Sequence, residues 1–62
     1  MTELLSQREA AEVLALGNPR TLAAWRLRGE GPQYVRVGRC IRYRRADLAA
    51  WIESRVVDPV RP

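Results

Sequence analysis

Five arginines fall within the eleven residues VRVGRCIRYRR, Val35 to Arg45. A guanidinium is a planar, permanently charged fork that matches phosphate oxygens and the O6/N7 edge of guanine. Such a cluster is suited to holding a polyanion. All 11 basic residues are arginine and none is lysine, a usage that looks like a GC-rich coding sequence. Part of the count is therefore a codon effect, and position has to carry the argument. From Asn18 to Arg45 there are eight arginines against one acid, Glu30, a net +7. The remainder holds three arginines and six acids, a net −3. That asymmetry is the electrostatic footprint of a polyanion-binding surface.

Other chemistries are poorly served. There is no histidine and a single cysteine, Cys40. Structural zinc sites and Cys/His nucleophile pairs are excluded, no cofactor is implied, and an enzyme is the least expected class. A lone cysteine without a secretory signal suits a reducing, cytoplasmic setting. No apolar run approaches the roughly 20 residues that span a bilayer, so no membrane partner is expected. At 62 residues the chain is expected to form one domain over residues 1–55, with a flexible tail at 56–62 that holds two prolines and no periodicity. A core this small gives only marginal stability.

The elements that must position the arginines can be read locally. Ser6-Gln7-Arg8-Glu9 is a capping box, with Leu5 placed to staple onto Ala10, and it predicts a helix over 7–15. Ala10, Ala11, Val13 and Leu14 form its apolar stripe. Gly17 suits the position after the helix, Asn18 an N-cap and Pro19 the first helical residue, so a second helix is expected over 19–28, ended by Gly29. Two helices joined by so short a turn read as a helix-turn-helix. A step of about 100° per residue puts Leu22 and Trp25 on one face of the second helix, flanked by Arg26. Arg20, Ala23, Ala24 and Leu27 lie opposite, with Thr21 and Arg28 at one edge.

A hairpin over 34–44 and a third helix over 45–55 follow. Apolar alternation asks Val35, Val37, Ile41 and Tyr43 to share the buried face. It pairs Val37 with Ile41 and Val35 with Tyr43 across a three-residue Gly38-Arg39-Cys40 connection. Arg36, Arg42 and Arg44 then point outward and Arg39 sits at the tip. Leu48, Trp51 and Ile52 are the core stripe of the third helix. The fold class is mainly α with a small β-hairpin, a winged helix-turn-helix.

In that plan the second helix enters the major groove of double-stranded DNA and the basic hairpin follows the backbone or reaches the minor groove. Arg20 and Thr21 are candidates for base contacts. Ala23 and Ala24 let the helix approach the groove floor. Arg28, Arg36 and Arg42 are phosphate candidates, and Arg39 a minor-groove or phosphate candidate. Gln7 and Arg8 stand at a helix N-terminus that could hold a phosphate. Trp25, Trp51 and Tyr43 are expected in the core, Arg26 in a structural role, Tyr34 exposed, and Cys40 incidental. Leu27 is the clearest exposed apolar residue, a possible contact between neighbouring copies.

The ordered set of motifs resembles the excisionase and AlpA-like family of small MerR-related DNA-binding proteins. The residues that carry the resemblance are Ala10-Ala11 with Leu14, Arg20-Thr21-Leu22, Trp25-Arg26 and Gly29-Glu30-Gly31-Pro32. They continue through Val35 to Arg39, Ile41 to Arg44, and Asp47-Leu48 with Trp51-Ile52. The match runs from about Leu4 to Ile52. It implies a recombination directionality factor of a bacteriophage or mobile element. Such a protein binds tandem sites near an attachment site, other copies of itself beside it, bends the DNA and directs an integrase toward excision. An AlpA-like transcriptional regulator filling one operator is the alternative. An RNA-binding protein and a protein-interaction module are less favoured, because Tyr34 and Leu27 alone would serve them.

Overall fold

The computed structural model describes residues 3–59. In chain order the elements are β1 (Leu4–Leu5), α1 (Gln7–Val13), α2 (Arg20–Leu27), β2 (Val35–Val37), β3 (Cys40–Arg44) and α3 (Arg45–Ser54). The strands form an antiparallel sheet in the order β1-β3-β2. This is the expected winged helix-turn-helix: three helices and a hairpin, with helix ends one or two residues inside the expected spans. The expected tail over 56–62 is irregular and exposed as far as Pro59, and its last three residues lie outside the described residues.

Local chemistry explains the helix starts. The capping box is complete: Glu9 N donates to Ser6 Oγ at 3.1 Å and Ser6 N donates to Glu9 Oε1 at 2.9 Å. Hydrogen bonding from Ser6 to the charged carboxylate, from its backbone N–H foremost and then from its side chain, holds the Glu9 carboxyl below its ordinary value of 4.5. At α2, Asn18 Oδ1 accepts from Arg20 N at 2.9 Å, and Pro19 already has helical angles (φ −59°, ψ −22°). Asn18 thus caps as its type suggests. Arg44 precedes α3 and donates Nε to Asp47 Oδ2 in the first turn.

The helix ends are alike in geometry and differ in residue. After α2, Gly29 takes φ +71°, with Gly29 N on Arg26 O and Glu30 N on Trp25 O, the paired bonds of a Schellman turn. After α1 the same pair appears as Ala15 N on Glu12 O and Leu16 N on Ala11 O. The left-handed residue there is Ala15, at φ +58°, and not Gly17. The apolar demand to turn Leu16 back onto the core outweighs the steric cost at Ala15.

The hairpin departs from the expected register. Val35 pairs with Arg42, Arg36 with Ile41 and Val37 with Cys40. The connection is the two-residue turn Gly38-Arg39, with positive φ at Gly38 (+62°) and not at Arg39, the pattern of a type II′ turn whose twist suits a hairpin. Turn geometry prevails because β2 is an edge strand with little burial to lose. Val37 is 48% exposed and Val35 half-buried. Arg36 therefore shares the inner face with Ile41 and Tyr43, while Arg42 and Arg44 lie on the outer face with Val35 and Val37.

The core is Leu5, Ala10, Ala11, Leu22, Tyr43 and Leu48. Leu5 enters it through β1, opposite Tyr43, a strand the sequence reading did not include. Trp25 and Trp51 pack ring to ring at 5.2 Å, half-buried. A Cβ on Gly31 would stand 2.9 Å from Trp25 Cε3, so glycine there lets the loop close over the ring. Besides Val37, two residues expected in the helical core stripes are on the surface: Val13 is 39% and Ile52 40% exposed. Each sits at the edge of its helical stripe, and a core this thin covers only the middle. Arg26 completes the docking of α2, donating Nη1 to the buried Tyr43 hydroxyl at 2.7 Å and Nη2 to Gln7 Oε1 at 2.9 Å.

Ala15→Gly is expected to raise stability by about 0.5–1 kcal/mol, because it relieves the left-handed strain at some cost in chain entropy. Chemical denaturation checks the sign, and a loss would mean that Ala15 is not left-handed. In a double-mutant cycle, Arg26→Leu and Tyr43→Phe should couple by roughly 1–3 kcal/mol, the worth of a charge-assisted hydrogen bond; additive effects would deny it. The Glu9 cap has a pH signature. Its folded pKa is lowered, so its stabilisation is present above about 4.5 and is lost as pH falls through the folded value. Glu9→Gln should flatten that part of the stability profile, and an unchanged acid limb would contradict it.

Candidate nucleic-acid interface

α2 and the hairpin face each other across an open groove lined by Ala23, Arg26, Leu27, Tyr34, Arg36 and Ile41. The register explains this grouping. One further step along it sets Tyr34 opposite Tyr43, whose rings lie 6.2 Å apart, and Arg36 is the next residue on that face. Arg26 lies over the Tyr34 ring at 5.7 Å. Tyr34 therefore braces the helix against the hairpin through a cation–π contact, and its ring is not a free stacking platform.

On α2, Arg20 and Ala24 are exposed, Thr21 and Ala23 are half-buried, and Leu27 is 90% exposed. No acid lies on this helix. Arg20 stands in the first turn, where the Asn18 and Pro19 cap fixes the backbone from which its side chain extends. Arg28, just after the helix, pairs with Glu30 at 3.3 Å, both side chains more than half exposed. An exposed pair of this kind contributes little and is readily exchanged for a stronger anion.

The hairpin arginines do not form one basic face. Arg36 looks into the groove, Arg39 is exposed at the turn, and Arg42 is half-buried on the outer face with Nη1 on Ile41 O at 2.8 Å. Arg44 is bound to Asp47, and Arg45 to Glu3 at 2.9 Å. Arg26 is engaged by the fold and Arg44 holds the mostly covered Asp47, whereas the Arg45–Glu3 pair is as exposed as that of Arg28 and as readily exchanged. Gln7 is also engaged, as the acceptor for Arg26 Nη2. The Glu9 carboxylate occupies the α1 end where Gln7 and Arg8 were expected to leave room for a phosphate. Cys40 is a free, exposed thiol on the turn side of β3.

Among the described residues no group of three or more His, Cys, Asp or Glu side chains is placed to hold a metal. No helix among the described residues is long and apolar enough to cross a membrane.

Sequence reasoning missed two positioning features of this surface. One is the placement of Arg36 on the helix side, for which the two-residue Gly38-Arg39 turn was the available signal. The other is the strap formed by β1, which ties the start of α1 to the centre of the sheet.

Residues 4–56 match a family model described as a helix-turn-helix domain. No curated protein matches the chain significantly. The matched span runs from β1 to just past α3 and so takes in the whole described fold. Its α1–α2 pair is the helix-turn-helix, whose second helix enters the major groove in domains of this kind. The chain thus belongs to the helix-turn-helix domain family, a small DNA-binding class.

Proposed function

We propose that the protein is an architectural DNA-binding factor of the excisionase type. It occupies tandem sites near an attachment site, bends the duplex and directs an integrase toward excision. The observation that carries the DNA-contacting part is the sorting of arginines described above. Arg36 lines the groove, and Arg20 at the start of α2 and Arg39 at the hairpin turn are exposed, while Arg26 is hydrogen-bonded inside the fold and Arg44 is paired with the mostly covered Asp47. The architectural part rests on the family resemblance and on size. Bending 20–30 bp by 40–90° costs roughly 1–6 kcal/mol, more than one small winged helix readily offsets alone. Several copies laid side by side would share that cost.

In this reading Arg20 pairs with a guanine edge in the major groove and Thr21 supports it at the same step. Ala23 and Ala24 keep α2 slim enough to seat deeply. Arg28, Arg36, Arg39 and Arg42 hold phosphates, with Arg39 also able to enter the minor groove. The protein acts without catalysing a step of its own; strand exchange belongs to the integrase.

Gel-shift titration on circularly permuted fragments of the attachment region tests the architectural role. A cooperative ladder of complexes whose mobility depends on site position supports it. A single unbent complex on a promoter would replace it with a transcriptional regulator. Two further outcomes test the contacts. Arg20→Ala should lose about 1–3 kcal/mol on the specific site and little on random DNA, whereas equal losses on both would remove base readout. Four phosphate contacts predict a salt slope of about −3.5 per copy, reduced by about one unit in Arg39→Ala. A slope near −7 would mean that every arginine between Asn18 and Arg45 is engaged.

A further inference from the structure

Leu27 is the most exposed large apolar side chain among the described residues, at 90%. It closes the acid-free helix α2, next to Arg26 and Arg28 and across the groove from Arg36. Seven residues separate it from Arg20, which brings the two within about 20° of one line along the helix. Ala23 and Ala24, the residues between them on that face, are too short to hold a partner surface away. We infer that Leu27 is a specificity-determining residue that packs on the C5-methyl group of a thymine in the major groove. This rests on the proposed reading of DNA by α2.

Three observations favour this occupant. The surface around Leu27 is arginine-bearing, so a second copy presenting the same face would set arginine against arginine, whereas a duplex is complementary to it. In the major groove, thymine offers an apolar methyl beside the polar base edges, which the apolar side chain of a leucine can cover. The spacing also fits. At about 1.5 Å per residue, Leu27 stands about 10 Å along the axis from Arg20, the rise of about three base pairs. The thymine should therefore lie about three steps from the guanine that Arg20 reads.

The test uses the full chain and a duplex enriched from a random library by repeated binding. Each thymine is replaced singly by deoxyuridine, which removes the methyl and leaves every hydrogen-bonding group. One position, about three base pairs from the step lost in Arg20→Ala, should weaken the wild-type protein about fourfold, the worth of one methyl taken out of water. Leu27→Ala, which keeps its fold because the side chain is exposed, should bind the thymine and deoxyuridine duplexes equally. The inference is overturned if deoxyuridine is tolerated at every position, or if Leu27→Ala retains the same sensitivity. It is also overturned if Leu27→Ala changes only cooperativity between copies, which would assign the leucine to a protein contact. The Arg20→Ala arm separates the two levels. A specific guanine with no thymine effect sinks the Leu27 contact alone, and failure to enrich any sequence sinks the base-reading model with it.

Discussion

The guanidinium of Arg26 is the polar contact that joins three elements sharing one thin apolar core. It leaves α2, reaches the Tyr43 hydroxyl on β3 and the Gln7 side chain on α1, and lies over Tyr34 at the start of the hairpin. α2 spans eight residues, far too few to be stable by itself. Its position depends on Leu22 in the core, Trp25 against Trp51 and Gly31, and this one arginine. The Tyr43 side chain is fully buried, and its hydroxyl needs a partner. Arg26 supplies it, and the apolar body of the tyrosine in turn anchors β1 through Leu5. The angle between α2 and the hairpin is thus set in part by a half-buried polar contact beside a very small core.

That constraint divides the arginines by task. Composition shows one basic segment, and the fold resolves it into groups. Arg26 works inward. Arg44 holds the mostly covered Asp47 in the first turn of α3, and Arg45 makes an exposed, exchangeable pair with Glu3. Arg20, Arg36 and Arg39 extend from rigid elements without a carboxylate partner among the described contacts. Arg28 and Arg42 are intermediate, with a weak exposed pair and a local carbonyl contact respectively. In such a domain, charge at the fold's seams and charge at the ligand surface use the same residue type, and only placement separates them.

Much of this was legible in the sequence wherever the controlling interaction is local. The Ser6–Glu9 box, the Asn18-Pro19 start and the Gly29 stop each depend on residues within a turn of one another, and the structure reproduces them. Tyr43 and Leu48 in the core and a structural Arg26 followed from face and spacing. Features set by competition between distant parts were not legible. The hairpin register pitted apolar alternation against turn geometry, and the weak burial of edge strand β2 let the turn win. β1 has two residues, too short for any period, and its partner lies across the whole helix pair. Ala15 adopts a conformation its type disfavours because Leu16 is needed inside. Val13 and Ile52 kept helical spacing but fell beyond the reach of a thin core.

The division of arginines is the central claim, and the side-chain Nε–Hε resonances of the labelled protein test it directly. On titration with a binding duplex, the Arg20, Arg36 and Arg39 signals should shift with the occupancy of the complex. The Arg26 signal, whose guanidinium is fixed through Nη1 on Tyr43 and Nη2 on Gln7, should stay in place. A large shift at Arg26, with Arg20 and Arg39 unmoved, would contradict the account and mean that DNA is bound by the residue assigned to the fold.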